Sequence, residues 1–255
     1  MPSQSILFMK KRINLFGLPV DVLTMEETIT LIESSINQNK QIHHTVVNAG
    51  KIVAMQTNKE LQKSVVEATI INADGQAIIW AANLLGQKLP ERVSGIDLME
   101  GLVKRSFEKG YKCYFLGATE EVVAKLVNIY KDQYSKDIIA GYRNGYFNKG
   151  EEESIAHQIS ESGANILFVA ITSPKKEIFL NTYKKQLQNV NFIMGVGGSF
   201  DVISGKVKRA PLWMQSIALE WLYRVMQEPK RLGRRYLVGN TKFIWLVVKE
   251  YFKSK

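Results

Sequence analysis

A chain of 255 residues, 45% hydrophobic and 23% charged, can bury a full core and is too apolar to remain disordered. Its longest apolar runs, such as Ile166 to Ile171 and Trp245 to Val248, fall far short of the roughly 20 residues a spanning helix needs, so no bilayer-crossing segment is expected. The net charge of +10 is lopsided: Val202 to Lys255 carries 12 Lys and Arg against 3 Asp and Glu, which leaves only +1 on the preceding 201 residues, so the tail either meets an anionic partner or forms a solvated basic face.

In chain order, the first segment, Met1 to Gly17, has lysines after a short apolar patch and no small-residue cleavage site, the reverse of a secretory signal. It reads as cytosolic, with Met9 as an alternative start. Thr24 followed by Glu27 forms a capping box that opens a helix. Short β-rich runs then alternate with helical patterns: His44 to Asn48, Thr69 to Asn72, Lys112 to Leu116, Asp137 to Ala140, Asn165 to Ile171 and Asn191 to Val196. Thr119 before Glu120 and Glu121, and Ser173 before Pro174, mark further helix starts. The alternation predicts an α/β fold over residues 1–201, a Rossmann-like parallel sheet with helices on both faces. The single cysteine, Cys113, falls in a predicted core strand and reads as structural.

Residues 202–255 are expected to form a helical, basic and aromatic appendage that docks on a membrane. Gly205 to Pro211 is a basic turn, a helix follows from about Leu212 to Gln227, and Pro229 is expected to break it. A second helix from Thr241 to Phe252 carries Phe243, Val247 and Tyr251, with Ile244, Val248 and Phe252 beside them, flanked by Lys242, Lys249 and Lys253. Such a helix packs on the body, pairs with another subunit or lies in a membrane surface.

Ligands of open α/β sheets bind at the carboxyl ends of strands, and there the sequence offers Asn48, Asp74-Gly75, Gly117-Ala118-Thr119 and Gly195 to Asp201. Asp74 has the access a general base needs, or it caps the helix starting near Gln76. Arg92 either clamps a diphosphate or pairs with a surface acid, and Asp97 reads as a helix cap. Gly117, Gly197 and Gly198 let backbone N–H groups approach a phosphate. Neither the P-loop pattern nor the dinucleotide fingerprint with its distant acid is present, which argues against an oxidoreductase on a similar sheet, and no cofactor is implied. The chain has no His-Glu-x-x-His and no Asp-x-Asp, so no metal site is expected, and a diphosphate would be neutralised by arginine, lysine and backbone donors. In the tail, Trp213, Trp221 and Trp245 mix with large aliphatics, closer to an interfacial helix than to a reader of nucleic acid.

Ordered blocks run through the chain: Asn48-Ala49, Ala73-Asp74-Gly75, Arg92 to Asp97, Phe115 to Ala118, Ser173 to Glu177, Gly195 to Asp201, Gly205 to Pro211, Glu220 to Arg224 and Gln227 to Arg231. In these blocks the sequence resembles the WecG/TagA/CpsF family of bacterial glycosyltransferases, from about Lys11 to Phe252. The resemblance implies a metal-independent inverting transferase. It would move N-acetylmannosamine, its uronic acid or a related sugar from a UDP donor to undecaprenyl-diphosphate-linked N-acetylglucosamine. UDP-glucose or UDP-glucuronate is the alternative donor. Asp74 matches the family's catalytic base, Asn48 and Arg92 match pocket positions, and Arg224, Arg231 and Arg234 match appendage arginines that reach the active site on the membrane. Thr45 stands one place off the family's Thr-x-Asn, and Lys176 replaces a glutamine; both border the expected sugar pocket. With Gly75, Gly117, Gly197, Gly198 and Asp201 they complete the expected substrate-binding set. The implied partners are the UDP-sugar, the lipid-linked acceptor and the anionic inner face of the cell membrane, with no nucleic acid and with a homo-oligomer off the membrane.

Overall fold

The computed structural model describes residues 11–217 and 219–253, without the side chains of Arg231 and Arg235; the alternative start at Met9 lies outside the described residues. The described chain begins with an antiparallel hairpin, β1 (Arg12–Leu15) and β2 (Leu18–Asp21). Phe16 and Gly17 both take positive φ in its two-residue turn, the geometry that matches strand twist. The Arg12 Nε lies 2.7 Å from Asp21 Oδ1, and Asp21 Oδ2 accepts the Ile71 N–H at 2.7 Å, so the hairpin is fastened to the sheet through a carboxylate. Sequence reading missed it, because four-residue strands carry too little period to register.

The capping box forms as expected: Thr24 Oγ1 accepts the Glu27 N–H and Glu27 Oε2 accepts the Thr24 N–H, opening α1 (Met25–Asn37). After it come β3 (Ile42–Val47), α2 (Ala49–Met55), α3 (Lys59–Val66), β4 (Ile70–Ala73), α4 (Gln76–Leu84) and α5 (Gly95–Lys109). Next are β5 (Cys113–Gly117), α6 (Glu120–Gln133), β6 (Ile139–Arg143), α7 (Glu152–Glu161), β7 (Ile166–Ala170), α8 (Lys175–Thr182), β8 (Phe192–Gly195) and α9 (Ser199–Ile203). The six strands from β3 to β8 form one parallel sheet in the order β4-β3-β8-β7-β5-β6. Burial on both faces explains the near-continuous apolar strands. Cys113 and Phe115 of β5 and Ile166 and Phe168 of β7 join a core with α1, α5 and α6, while Tyr114, Leu116, Leu167 and Val169 turn to α7 and α8. Phe115 stacks on Phe168 at 5.7 Å and meets Phe200 edge-on at 5.9 Å. Each such ring is fully buried and stabilises by about 1.5–3 kcal/mol. Cys113 is buried beside Ser106 at 3.2 Å, and burial pushes its thiol up to about 12, as suits a structural residue.

Three local expectations need correcting. Asp97 does not cap α5; Ser94 is the N-cap, and the Asp97 carboxylate pairs instead with Arg209 at 2.6 Å. The β6 strand starts later than Asp137, because Ser135 Oγ accepts the Asp137 N–H and winds residues 136–138 into a short 3₁₀ turn. The tail helix expected from Leu212 to Gln227 is two, α10 (Leu212–Ser216) and α11 (Glu220–Gln227); the break expected at Pro229 falls at Glu228, and Pro229 itself opens a further helix, α12 (Pro229–Lys253). At the first helical position its missing N–H is not needed. The 25-residue α12 runs through Gly233 and Gly239, each costing about 1 kcal/mol relative to alanine, and packing on α2 and α11 offsets this.

That packing splits the expected apolar stripe in two. Phe243 and Val247 are buried in the core beside α2, with Phe243 meeting Phe16 at 5.6 Å. Ile244, Trp245, Val248 and Phe252 lie on the far side, exposed, in line with Leu237 at helical spacing; exposure is 5% at Phe243 and 63% at Ile244. Among the described residues, no helix is long and apolar enough to cross a membrane.

Candidate active site

The carboxyl edge of the sheet is where the site assembles. The Asp74 N–H donates to Val47 at 2.8 Å, which continues the ladder one residue past β4, and Gly75 then turns at φ +96, a conformation L side chains rarely adopt. Gly75, with no side-chain cap bond, is the N-cap of α4, so the Asp74 carboxylate is not spent on capping. The Val93 N–H donates to Ala73 at 2.8 Å and so brings Arg92 to the same corner.

Arg92 connects this corner to the appendage. Its Nη2 donates to Gln215 Oε1 at 3.2 Å, and its Nη1 lies 3.5 Å from Glu220 Oε2. The other oxygen of Glu220 lies 3.5 Å from Arg224 Nη2. Arg224 covers the turn after β8, with its Nη1 3.7 Å from where a Gly198 Cβ would stand. Asp74 is partly buried, and desolvation, reinforced by the negative charge of Glu220, pushes its carboxyl up to about 6 against the pull of Arg92, Arg224 and Lys51.

Next to this group lies a buried ion cluster. Asn48 caps α2 by accepting the Lys51 N–H at 2.9 Å, which fixes the first turn of that helix. The Lys51 ammonium lies 2.9 Å from Glu177 Oε1 and donates to Thr45 Oγ1 at 3.2 Å, and Lys176 reaches the same Glu177 oxygen at 3.0 Å. Lys176 is buried, so it does not face solvent. A Cβ on Gly195 would sit 2.9 Å from the Lys176 stem, so glycine there makes room for the lysine. Burial alone would raise the Glu177 carboxyl, but Lys51 and Lys176 hold it down at about 2. His43, on β3, is driven down to about 3 chiefly by burial and stays neutral.

The other expected residues stand apart. Gly117, at φ +140, packs its α-carbon against β7, where a Cβ would fall 2.5 Å from the Ala170 backbone; close strand packing explains this glycine. Gly197, at φ +57, has open space around its α-carbon. Asp201 pairs with Lys206 at 3.3 Å and closes the basic turn. Arg234 is exposed on α12, and the side chain of Arg231 lies outside the described ones. Sequence reading missed Lys51, Glu177, Gln215 and Glu220 as members of the site. Lys51 left one signal, its place in the first helical turn after a strand-end asparagine.

A carboxylate that titrates near neutrality can take a proton from a hydroxyl, and arginines beside it can receive an anionic leaving group. Compared with known proteins, the chain matches the model of the Glycosyl transferase WecG/TagA/CpsF family over residues 13–255. The match takes in the sheet, the Asp74 corner and the appendage through α12, and members of such a family use a nucleotide-sugar donor and a sugar acceptor. With nearly its whole length matched, the chain belongs to the WecG/TagA/CpsF family and is a glycosyltransferase.

Proposed function

We propose that this glycosyltransferase is an inverting enzyme that transfers N-acetylmannosamine, its uronic acid or a related sugar from a UDP donor to lipid-diphosphate-linked N-acetylglucosamine. The observation that carries the reading is the Asp74 carboxyl, raised to about 6, in one corner with Arg92 and Arg224. In this reading Asp74 takes the proton of the acceptor hydroxyl as its oxygen bonds to the anomeric carbon, and the bond to UDP breaks on the opposite side. Arg92 and Arg224 take the charge that develops on the departing diphosphate, a task that needs no metal. Thr45, Asn48, Gly75, Lys176, Gly197 and Gly198 would line the donor pocket, and Arg231 and Arg234 would approach it from the appendage. Gly117 and Asp201 would contribute through the shape of the strand ends.

The division into a catalytic body, 1–201, and an appendage, 202–255, gives the second half of the proposal. The exposed stripe of Leu237, Ile244, Trp245, Val248 and Phe252 would lie in the inner leaflet of the cell membrane, with Lys242, Lys249 and Lys253 along its flank; Lys249 already covers the Trp245 ring at 5.0 Å. Off the membrane, a second copy would cover the same stripe. The test is a panel of UDP-sugars with a short-chain lipid-diphosphate N-acetylglucosamine, read by product mass and, for the new bond, by NMR of its anomeric centre. Transfer from one UDP-sugar with inversion is the expected result; hydrolysis alone, or no reaction with any donor, would count against it.

A further inference from the structure

Glu220 occupies an unusual place. Arg92 comes from the loop before α5 and Arg224 from α11, and each brings one guanidinium nitrogen to 3.5 Å from a separate oxygen of this one carboxylate. Tight charge-assisted pairs close to about 2.7–2.9 Å. Both contacts are therefore loose, and the three side chains keep about a quarter to a third of their exposure, 22%, 24% and 33% for Arg92, Glu220 and Arg224. A loose, partly solvated carboxylate between two arginines is readily exchanged for a stronger anion. The same carboxylate adds to the upward push on Asp74, so two acids share a corner with Arg92, Arg224 and Lys51. A third anion arriving there would meet repulsion from both acids unless one withdrew.

We propose that Glu220 is the resident counter-ion of the donor's diphosphate site, pairing Arg92 and Arg224 until a nucleoside diphosphate takes both arginines from it. This rests on the reading that the site accepts a nucleotide-diphosphate sugar. The two recognition chemistries are alike, since a pair of anionic oxygens faces two guanidinium groups, but the diphosphate brings more charge and more acceptors. Glu220 holds both guanidinium groups at one carboxylate beforehand, and its departure frees both of them while α11 stays packed on α12. Binding then has a built-in threshold: uridine alone leaves the carboxylate seated, and only a phosphate-bearing ligand displaces it.

Calorimetric titration of the full chain with UDP and with uridine tests this. Glu220→Gln keeps the shape and removes the charge, and it should bind UDP roughly five- to tenfold more tightly than wild type while uridine affinity is unchanged. Glu220→Asp retains the charge with a shorter reach and should fall between the two. Should Glu220→Gln prove unstable, Glu220→Asp still carries the test, because a purely structural glutamate predicts weaker UDP binding there and a displaced one predicts tighter. Unchanged or weaker UDP binding in a folded Glu220→Gln, with wild type binding UDP, overturns the proposal alone. Failure of every form to bind UDP, wild type included, overturns the donor reading and the proposal together.

Discussion

Val93 donates its N–H to the Ala73 carbonyl at 2.8 Å, and this single backbone bond sets Arg92 beside Asp74. The residue after one partner and the residue before the other are thereby held at one corner without any side-chain contact between them. In the proposed mechanism the loop that carries Arg92 is thus tied at its backbone to the end of β4, which would help to fix the cation relative to the base.

Asp74 must be ionised to act as a base, so kcat/KM should rise with pH through about 6 and fall about tenfold per pH unit below it. Asp74→Asn should lower turnover by about a hundredfold or more and remove that acidic limb. Initial rates from pH 5 to 8 check both, and near wild-type turnover in the asparagine variant would falsify the assignment.

The same residue should trade stability for activity. Its folded pKa, about 6, lies above the ordinary 3.8, so the folded state holds the proton more tightly and loses stability as pH rises through that window. Above pH 6 the ionised carboxylate costs up to about 3 kcal/mol. Asp74→Asn should therefore melt at a higher temperature than wild type at pH 7.5 and at nearly the same temperature at pH 4. Equal melting temperatures at both pH values would contradict this.

The Lys51-Glu177-Lys176 cluster is buried, and Glu177→Ala would leave two ammonium groups facing each other without their shared carboxylate. The expected loss is about 3–5 kcal/mol in urea unfolding. A change below about 1 kcal/mol would mean that water reaches the cluster.

On α12 the two apolar faces should separate cleanly. Phe243→Ala opens a core cavity and should destabilise by about 3–5 kcal/mol. Ile244→Asp with Trp245→Asp, both on the exposed face, should leave melting nearly unchanged and release the protein from anionic vesicles. Co-sedimentation across a salt series measures the second effect.

Activity should persist in excess EDTA, since in the proposed mechanism Arg92 and Arg224 carry the diphosphate charge. Loss of transfer in EDTA that Mg²⁺ or Mn²⁺ restores would show that a metal does that work.

The sheet was readable because strands buried on both faces, such as Ile166–Ala170, stand out as apolar runs between capped helices. Asp74 was readable as an acid at a strand end before a glycine. Arg92 was readable with it, but its partners Gln215 and Glu220 were not, because contact between Arg92 and Glu220 spans 128 positions and no local pattern announces such a partner. The same limit hid the link of Lys51 to Glu177. On α12, periodicity merged Phe243 with Ile244, since adjacent residues lie only about 100° apart around a helix and only the packing on α2 tells them apart. Pro229 was readable as the end of one helix but not as the start of the next, because a proline that breaks a helix interior is also a residue that suits a first helical position.

Continuous helix from Pro229 to Lys253 makes α12 a rod of about 37 Å. Phe243 and Val247 root its middle against α2, whose first turn carries Asn48 and Lys51. The outer stripe, from Leu237 to Phe252, is therefore carried on a helix packed against α2, which borders the candidate site. If a flat partner lies along the stripe as proposed, the packing of α12 on α2 would fix the tilt at which it meets the enzyme. A substrate anchored in that partner would be gauged by how far its reactive hydroxyl projects, so the helix would act as a depth stop as well as a foot.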